Sequence, residues 1–68
     1  MNINDNLFNL IKSHNWDEFV KILNSSSDID CNIRDNNNNY LIQYSVLYNK
    51  INITELLIKK GAKLDVLD

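Results

Sequence analysis

Two side chains in this chain could do covalent or acid–base work near neutral pH: Cys31, a nucleophile once ionised, and His14, a base. An activated thiolate needs a nearby cation or helix N-terminus, and a partner that orients it. Neither is implied here. Cys31 occupies an apolar position that Leu64 fills again 33 residues later, so it reads as a small buried hydrophobe. His14 falls at the end of a helical pattern and reads as a cap or a solvent residue. The carboxylates Asp17, Glu18, Asp28, Asp30 and Asp35 read as exposed or turn-forming, without the paired geometry of acid–base catalysis. One Cys and one His cannot supply the four ligands of a structural zinc site, and a lone Cys closes no internal disulfide. No catalytic residue, no metal and no cofactor is therefore expected.

Composition narrows the remaining classes. With 68 residues, 44% of them hydrophobic, the chain makes one small domain. A body of this size buries only about 60% of the surface its unfolded chain exposes, so it needs a neighbouring surface for robust stability. Seven basic against nine acidic side chains leave a net charge of −2, with the lysines scattered. Phosphate-backbone binding rests on clustered Lys and Arg, so no nucleic acid partner is expected. No apolar run is long enough to cross a bilayer, and Met1 to Asp5 lacks the basic and apolar regions of a secretory signal. No membrane partner and an intracellular, cytoplasmic setting are the expectation, which the unpaired Cys31 fits. Thirteen asparagines, four of them in the run Asn36 to Asn39, read as a compositional bias rather than a functional tract.

The elements that must position any site come from apolar spacing. Leu7, Phe8, Leu10 and Ile11 predict a helix over residues 5–13, with Asp5 in its first turn. His14 and Asn15 interrupt it. Trp16, Phe19, Val20 and Leu23 form one face of a second helix, from Trp16 to about Asn24, with Asn15 and Glu18 spaced as a capping box. Ser25 to Asp30 ends that helix by side-chain competition for the backbone. Cys31 to Asn39 reads as an extended finger with tight turns. Tyr40 to Tyr48 predicts a third helix, closed by Asn49 in a left-handed conformation, with small Ser45 allowing close helix approach. Ile51 to Lys60 predicts the fourth, capped by Gly61.

These elements recur. Asn15 precedes Asn49 by 34 residues, and Val20, Leu23, Cys31, Asn32 and Asp35 precede Ile53, Leu56, Leu64, Asp65 and Asp68 by 33. A period near 33 residues marks helical units that bury their apolar faces against neighbours.

Residues Asn49 to Ala62, running Asn-Lys-Ile-Asn-Ile-Thr-Glu-Leu-Leu-Ile-Lys-Lys-Gly-Ala, resemble the ankyrin pattern G-H-x-E-I-V-x-L-L-L-x-x-G-A. Asp35 to Gln43 stand in the place of D-x-x-G-x-T-P-L-H, and Lys63-Leu64-Asp65 and Asp30-Cys31-Asn32 resemble D-V-N. Tyr40 replaces the capping Thr, Leu41 the Pro and Asn38 the turn Gly, each of which should weaken local preorganisation. The resemblance implies an all-α fold of stacked helix-turn-helix repeats with a short finger between them, repeat one spanning about 5–34 and repeat two about 35–67. Because Asp68 stands where Asp35 stands, the array is expected to continue.

The resemblance further implies a non-catalytic module that binds a protein partner along the finger tips and the outward face of each first helix. By position, that surface comprises Arg34, Asn36, Asn37, Asn39, Tyr44, Leu47 and Tyr48. Tyr and Arg are typical binding anchors, while Tyr44 and Tyr48 could equally cover the next repeat's helix. Three roles remain open: recruitment of a partner or substrate, an N-terminal targeting appendage of a larger enzyme, and a capping or oligomerisation unit that self-associates through its uncapped C-terminal face.

Overall fold

In the computed structural model, which describes residues 3–25 and 29–66, four helices follow one another: α1 (Ile3–Lys12), α2 (Trp16–Ser25), α3 (Leu41–Leu47) and α4 (Ile51–Lys59). Among the described residues there is no strand, only an isolated antiparallel bridge between Arg34 and Tyr40 at the base of the finger. α1 packs on α2, α3 on α4, and α1 on α3, so two antiparallel pairs lie side by side. The all-α architecture of stacked helix pairs is the one the resemblance implied. Ser26 to Asp28 and Asp68 lie outside the described residues.

Left-handed residues close the turns. His14 (φ 62°) and Asn49 (φ 59°) end the first helix of each pair, Asn38 (φ 63°) turns the finger, and Gly61 (φ 99°) follows α4. Gly61 has no Cβ to strain, and Asn tolerates this region better than most residues. α3 starts later than its apolar pattern, at Leu41, because Tyr40 is extended (φ −87°, ψ 158°). No side chain takes the place of the Thr hydroxyl; instead the Gln43 N–H donates to the Tyr40 carbonyl at 3.1 Å, and Gln43 Oε1 reaches back to accept the Tyr40 N–H at 2.6 Å.

The backbone corrects the register of the repeat. The Asn15 N–H donates to the Leu10 carbonyl at 2.9 Å, and the Lys50 N–H to the Ser45 carbonyl at 2.8 Å. Phe19 N–H to Asn15 and Thr54 N–H to Lys50 form a second matching pair. Together with His14 and Asn49, these bonds set corresponding helical positions 35 residues apart, not 33 or 34. Asn15 therefore matches Lys50 rather than Asn49, and Leu23 matches Ile58 rather than Leu56. The apolar pattern misleads because neighbouring Leu and Ile residues offer several nearly equivalent alignments, whereas a left-handed turn residue offers one.

Leu7, Ile11, Phe19 and Leu23 of the first pair and Leu41, Ile42, Ile53 and Leu57 of the second are fully or almost fully buried, with Phe8, Cys31 and Ala62 joining them. Ser45 is also buried. Its Oγ lies 2.7 Å from Thr54 Oγ1 across α3 and α4, so two small hydroxyls fill the slot that Leu10 and Phe19 fill in the first pair. The close approach expected at Ser45 is present. Val46 and Ile58 are exposed, although Ile11 and Leu23 at the matching positions are buried, and Leu64 is exposed although Cys31, its counterpart in the 33-residue sequence period, is buried. Among the described residues no element packs over them, so apolar character alone does not bury them.

The finger is pinned to the second pair by one carboxamide. Asn32 Nδ2 donates to the Gly61 carbonyl at 3.0 Å and its Oδ1 accepts the Lys63 N–H at 2.8 Å. A carboxylate can accept but not donate, and it would oppose the Gly61 carbonyl. Asn32→Asp should therefore cost about 1–3 kcal/mol, read as a lower urea midpoint by circular dichroism. An unchanged midpoint would show that the clamp contributes nothing.

Candidate protein-interaction surface

The finger is organised around one carboxylate. Asp35 Oδ1 accepts the backbone N–H groups of Asn37 and Asn39, each at 2.9 Å. The Asp35 N–H in turn donates to the Asn39 carbonyl at 3.0 Å, and the Asn38 N–H donates to the Asp35 carbonyl at 3.0 Å. Asn38 adopts its left-handed φ inside this ring of bonds. Oδ2 accepts the Tyr44 hydroxyl of α3 and lies 3.2 Å from Lys12 Nζ of α1. The Asp35 side chain is only 6% exposed. Burial pushes its carboxyl up, but the Tyr44 hydroxyl, the Asn39 N–H, the Lys12 ammonium and the Asn37 N–H together outweigh it and hold it at about 2. Lys12 is correspondingly raised, chiefly by its hydrogen bond to Asp35.

This arrangement sorts the seven expected surface residues. Arg34, Asn36 and Asn37 are exposed on the finger, the Arg34 guanidinium 5.9 Å from the Tyr40 ring centre. Asn39 is half-buried, its Nδ2 donating to the Tyr44 hydroxyl at 3.3 Å. Tyr44, expected outward, is a correction: it is 9% exposed, edge-on to Phe8 with ring centres 6.1 Å apart. Its hydroxyl has a charged acceptor in Asp35, which the sequence treats as only a turn residue. Tyr48 is half-buried, stacked on Tyr44 at 6.3 Å and 4.3 Å from the His14 ring. Both tyrosines thus pack back on the preceding pair rather than forward on a following one. Leu47 is 71% exposed on α3, apart from the finger's ring of bonds.

Sequence reasoning misses Lys12, Phe8 and Gln43. Lys12 looks like any solvated helix lysine, and only the packing of α1 on α3 brings it to Asp35, with its ammonium 5.5 Å from the Tyr44 ring centre. Trp16 is half-buried; its ring meets His14 at 5.6 Å and Lys50 Nζ at 5.4 Å. Cys31 is buried, and burial, reinforced by the Asp30 charge, pushes its thiol up and away from the reactive thiolate. His14 and Cys31 are not partnered with one another: the imidazole sits in the aromatic row with Trp16 and Tyr48, and Cys31 in the core. Among the described residues no group of three or more His, Cys, Asp or Glu could hold a metal ion, and no helix is long and apolar enough to cross a membrane.

Paired helices with left-handed closures and a carboxylate-organised finger define a helical repeat protein. The chain is 48% identical over 64 residues, 91% of its length, to an ankyrin repeat protein of Acanthamoeba polyphaga mimivirus, and it spans 8% of that protein's length. No protein-family model matches the chain, and no solved structure matches it. That similarity, over nearly the whole chain, supports membership of the ankyrin-repeat family. Members of that family are in general protein–protein interaction modules and in general not catalysts.

Three variants test the Asp35 centre. Because its carboxyl is held at about 2, below the ordinary 3.8, the stability it contributes is complete above the ordinary carboxylate range and disappears as pH falls from about 4 towards 2. Asp35→Asn should flatten that part of the stability–pH curve. Tyr44→Phe keeps the ring and removes one donor to a charge, so it should cost about 1.5–3 kcal/mol and shift the acid transition to higher pH. Tyr44→Ala also opens a cavity beside Phe8 and should cost about 3–5 kcal/mol. Chemical denaturation across pH reads all three, and equal midpoints for Tyr44→Phe and the parent would remove Tyr44 from the centre.

Proposed function

We propose that this segment, read as repeat one over about 5–34 and repeat two over about 35–67, is a non-catalytic module that recruits a protein partner or substrate. An intracellular setting goes with that reading, supported by the unpaired, buried thiol of Cys31. The observation that carries it is the finger: Asp35 holds the backbone of Asn36 to Asn39, so Arg34, Asn36 and Asn37 are presented in a fixed geometry. Preorganised side chains lose less entropy when a partner binds. Immobilised chain would be used to select binders from a display library of genomic fragments of its source. Binders should lose about tenfold or more in affinity on the triple variant Asn36→Ala, Asn37→Ala, Leu47→Ala, as expected when anchors are removed. Binders indifferent to that variant would sink this surface as the recruiting site.

A second reading, a capping or oligomerisation unit, is favoured by a different observation. Val46, Ile51 and Ile58 are 39–68% exposed, and the matching Ile11, Trp16 and Leu23 are buried or half-buried. An apolar face of this kind seeks cover. Sedimentation of the parent against Ile51→Lys with Ile58→Lys would decide it. Concentration-dependent association abolished by the lysines supports self-association, and a monomer at every concentration retires it. The appendage of a larger enzyme draws no comparable support from the fold.

A further inference from the structure

Between α1 and the finger runs a polar groove of about 570 Å³, with Phe8 among its lining residues. We infer that this groove takes an extended peptide read through an acidic side chain, Asp or Glu; the inference rests on the protein-binding reading above and names the class of partner. A volume of this order falls within the range of ligand-binding clefts.

The argument is a count of hydrogen-bonding capacity. Asn4 and Asn9 from α1 and Asn36 and Asn37 from the finger line the groove, each carrying a carbonyl acceptor and two N–H donors. A peptide backbone offers one N–H and one C=O per residue, so a row of carboxamides can pair with it whatever its sequence. What distinguishes side chains is the rest of the lining. Arg34, the only arginine of the chain, is exposed there with five N–H donors. Lys12 turns its ammonium to Asp35, and an ammonium has three donors to give.

Acceptors are scarcer. Asp35 is enclosed and already receives Asn37, Asn39, Tyr44 and Lys12. Asp5, the remaining carboxylate of the lining, is itself engaged. A basic side chain entering the groove would meet Arg34 and Lys12, with the enclosed Asp35 already saturated and Asp5 already engaged. An acidic one brings only acceptors, and a carboxylate matches the guanidinium fork with two parallel hydrogen bonds. One guanidinium and one shared ammonium suit a single negative charge better than a phosphate dianion. The groove wall is also rigid on the finger side, where Asp35 fixes the backbone of Asn37 and Asn39.

The test is selection of a random linear peptide library on the full chain, followed by fluorescence anisotropy of the recovered peptides at low and physiological salt. Recovered peptides should be enriched in Asp and Glu over the starting library. Changing their acidic residue to Gln should weaken binding about tenfold, the effect of one charge-assisted pair. Arg34→Gln, with helicity unchanged by circular dichroism, should erase the difference between the Glu and Gln peptides. A phosphoserine peptide binding more tightly than its Glu counterpart would overturn the single-charge argument. Peptides without acidic enrichment that still lose affinity on Asn36→Ala with Asn37→Ala would overturn this inference while leaving the recruiting surface intact. Failure to recover any peptide, with folded genomic fragments still bound in the earlier selection, would overturn the peptide class alone. Failure of both selections would overturn both readings.

Discussion

The structure hangs on a carboxylate taken almost wholly out of water. Burying a charge is costly unless donors replace its hydration, and Asp35 is supplied from three separate parts of the chain: its own finger, the Tyr44 hydroxyl of α3 and the Lys12 ammonium of α1. Each donor ties one element to the others. The finger can hold a left-handed Asn38 because its N–H groups converge on that carboxylate and its carbonyl. α3 is oriented by Tyr44, and the first helix pair is joined to the finger through Lys12. No buried side-chain nitrogen or oxygen among the described residues is left without a partner, so the charge is compensated rather than merely tolerated.

Around this centre the two helix pairs share a backbone and differ in filling. At the level of main-chain bonds they superimpose at a spacing of 35 residues, yet the slot holding Leu10 and Phe19 in the first holds Ser45 and Thr54 in the second. The outer faces also differ. Buried Leu41, Tyr44 and Ile53 of the second pair correspond to Asn6, Asn9 and Glu18 of the first, while half-buried Trp16 corresponds to exposed Ile51. One flank is polar and finished, and the other is apolar and open. The chemistry these pairs present lies on surfaces: an amide-rich finger and an uncovered apolar flank.

The turns were legible in the residues because they are decided locally. Asn38, Asn49 and Gly61 stand where a left-handed backbone is needed, and each adopts it; the Asn-for-Gly replacement at 38 costs little because the ring of bonds around Asp35 supports it. Helix existence was equally legible from apolar spacing. Register was not: runs such as Leu56-Leu57-Ile58 admit alignments at 33, 34 or 35 residues, and only the hydrogen bonds at the turns choose among them. Gln43 reaching back to the Tyr40 N–H was likewise invisible, since the resemblance directs attention to the missing Thr.

By itself the sequence determined the class of fold, the number of helices and the places where the chain turns, since these follow from side-chain periodicity and backbone preference within a few residues. The tertiary structure alone decided which way Tyr44 faces, that Lys12 completes the Asp35 centre, and that Leu64 is 55% exposed while Cys31 is 2% exposed. Those outcomes depend on what lies opposite a side chain after the helix pairs dock, and partners distant along the chain leave no mark in local spacing.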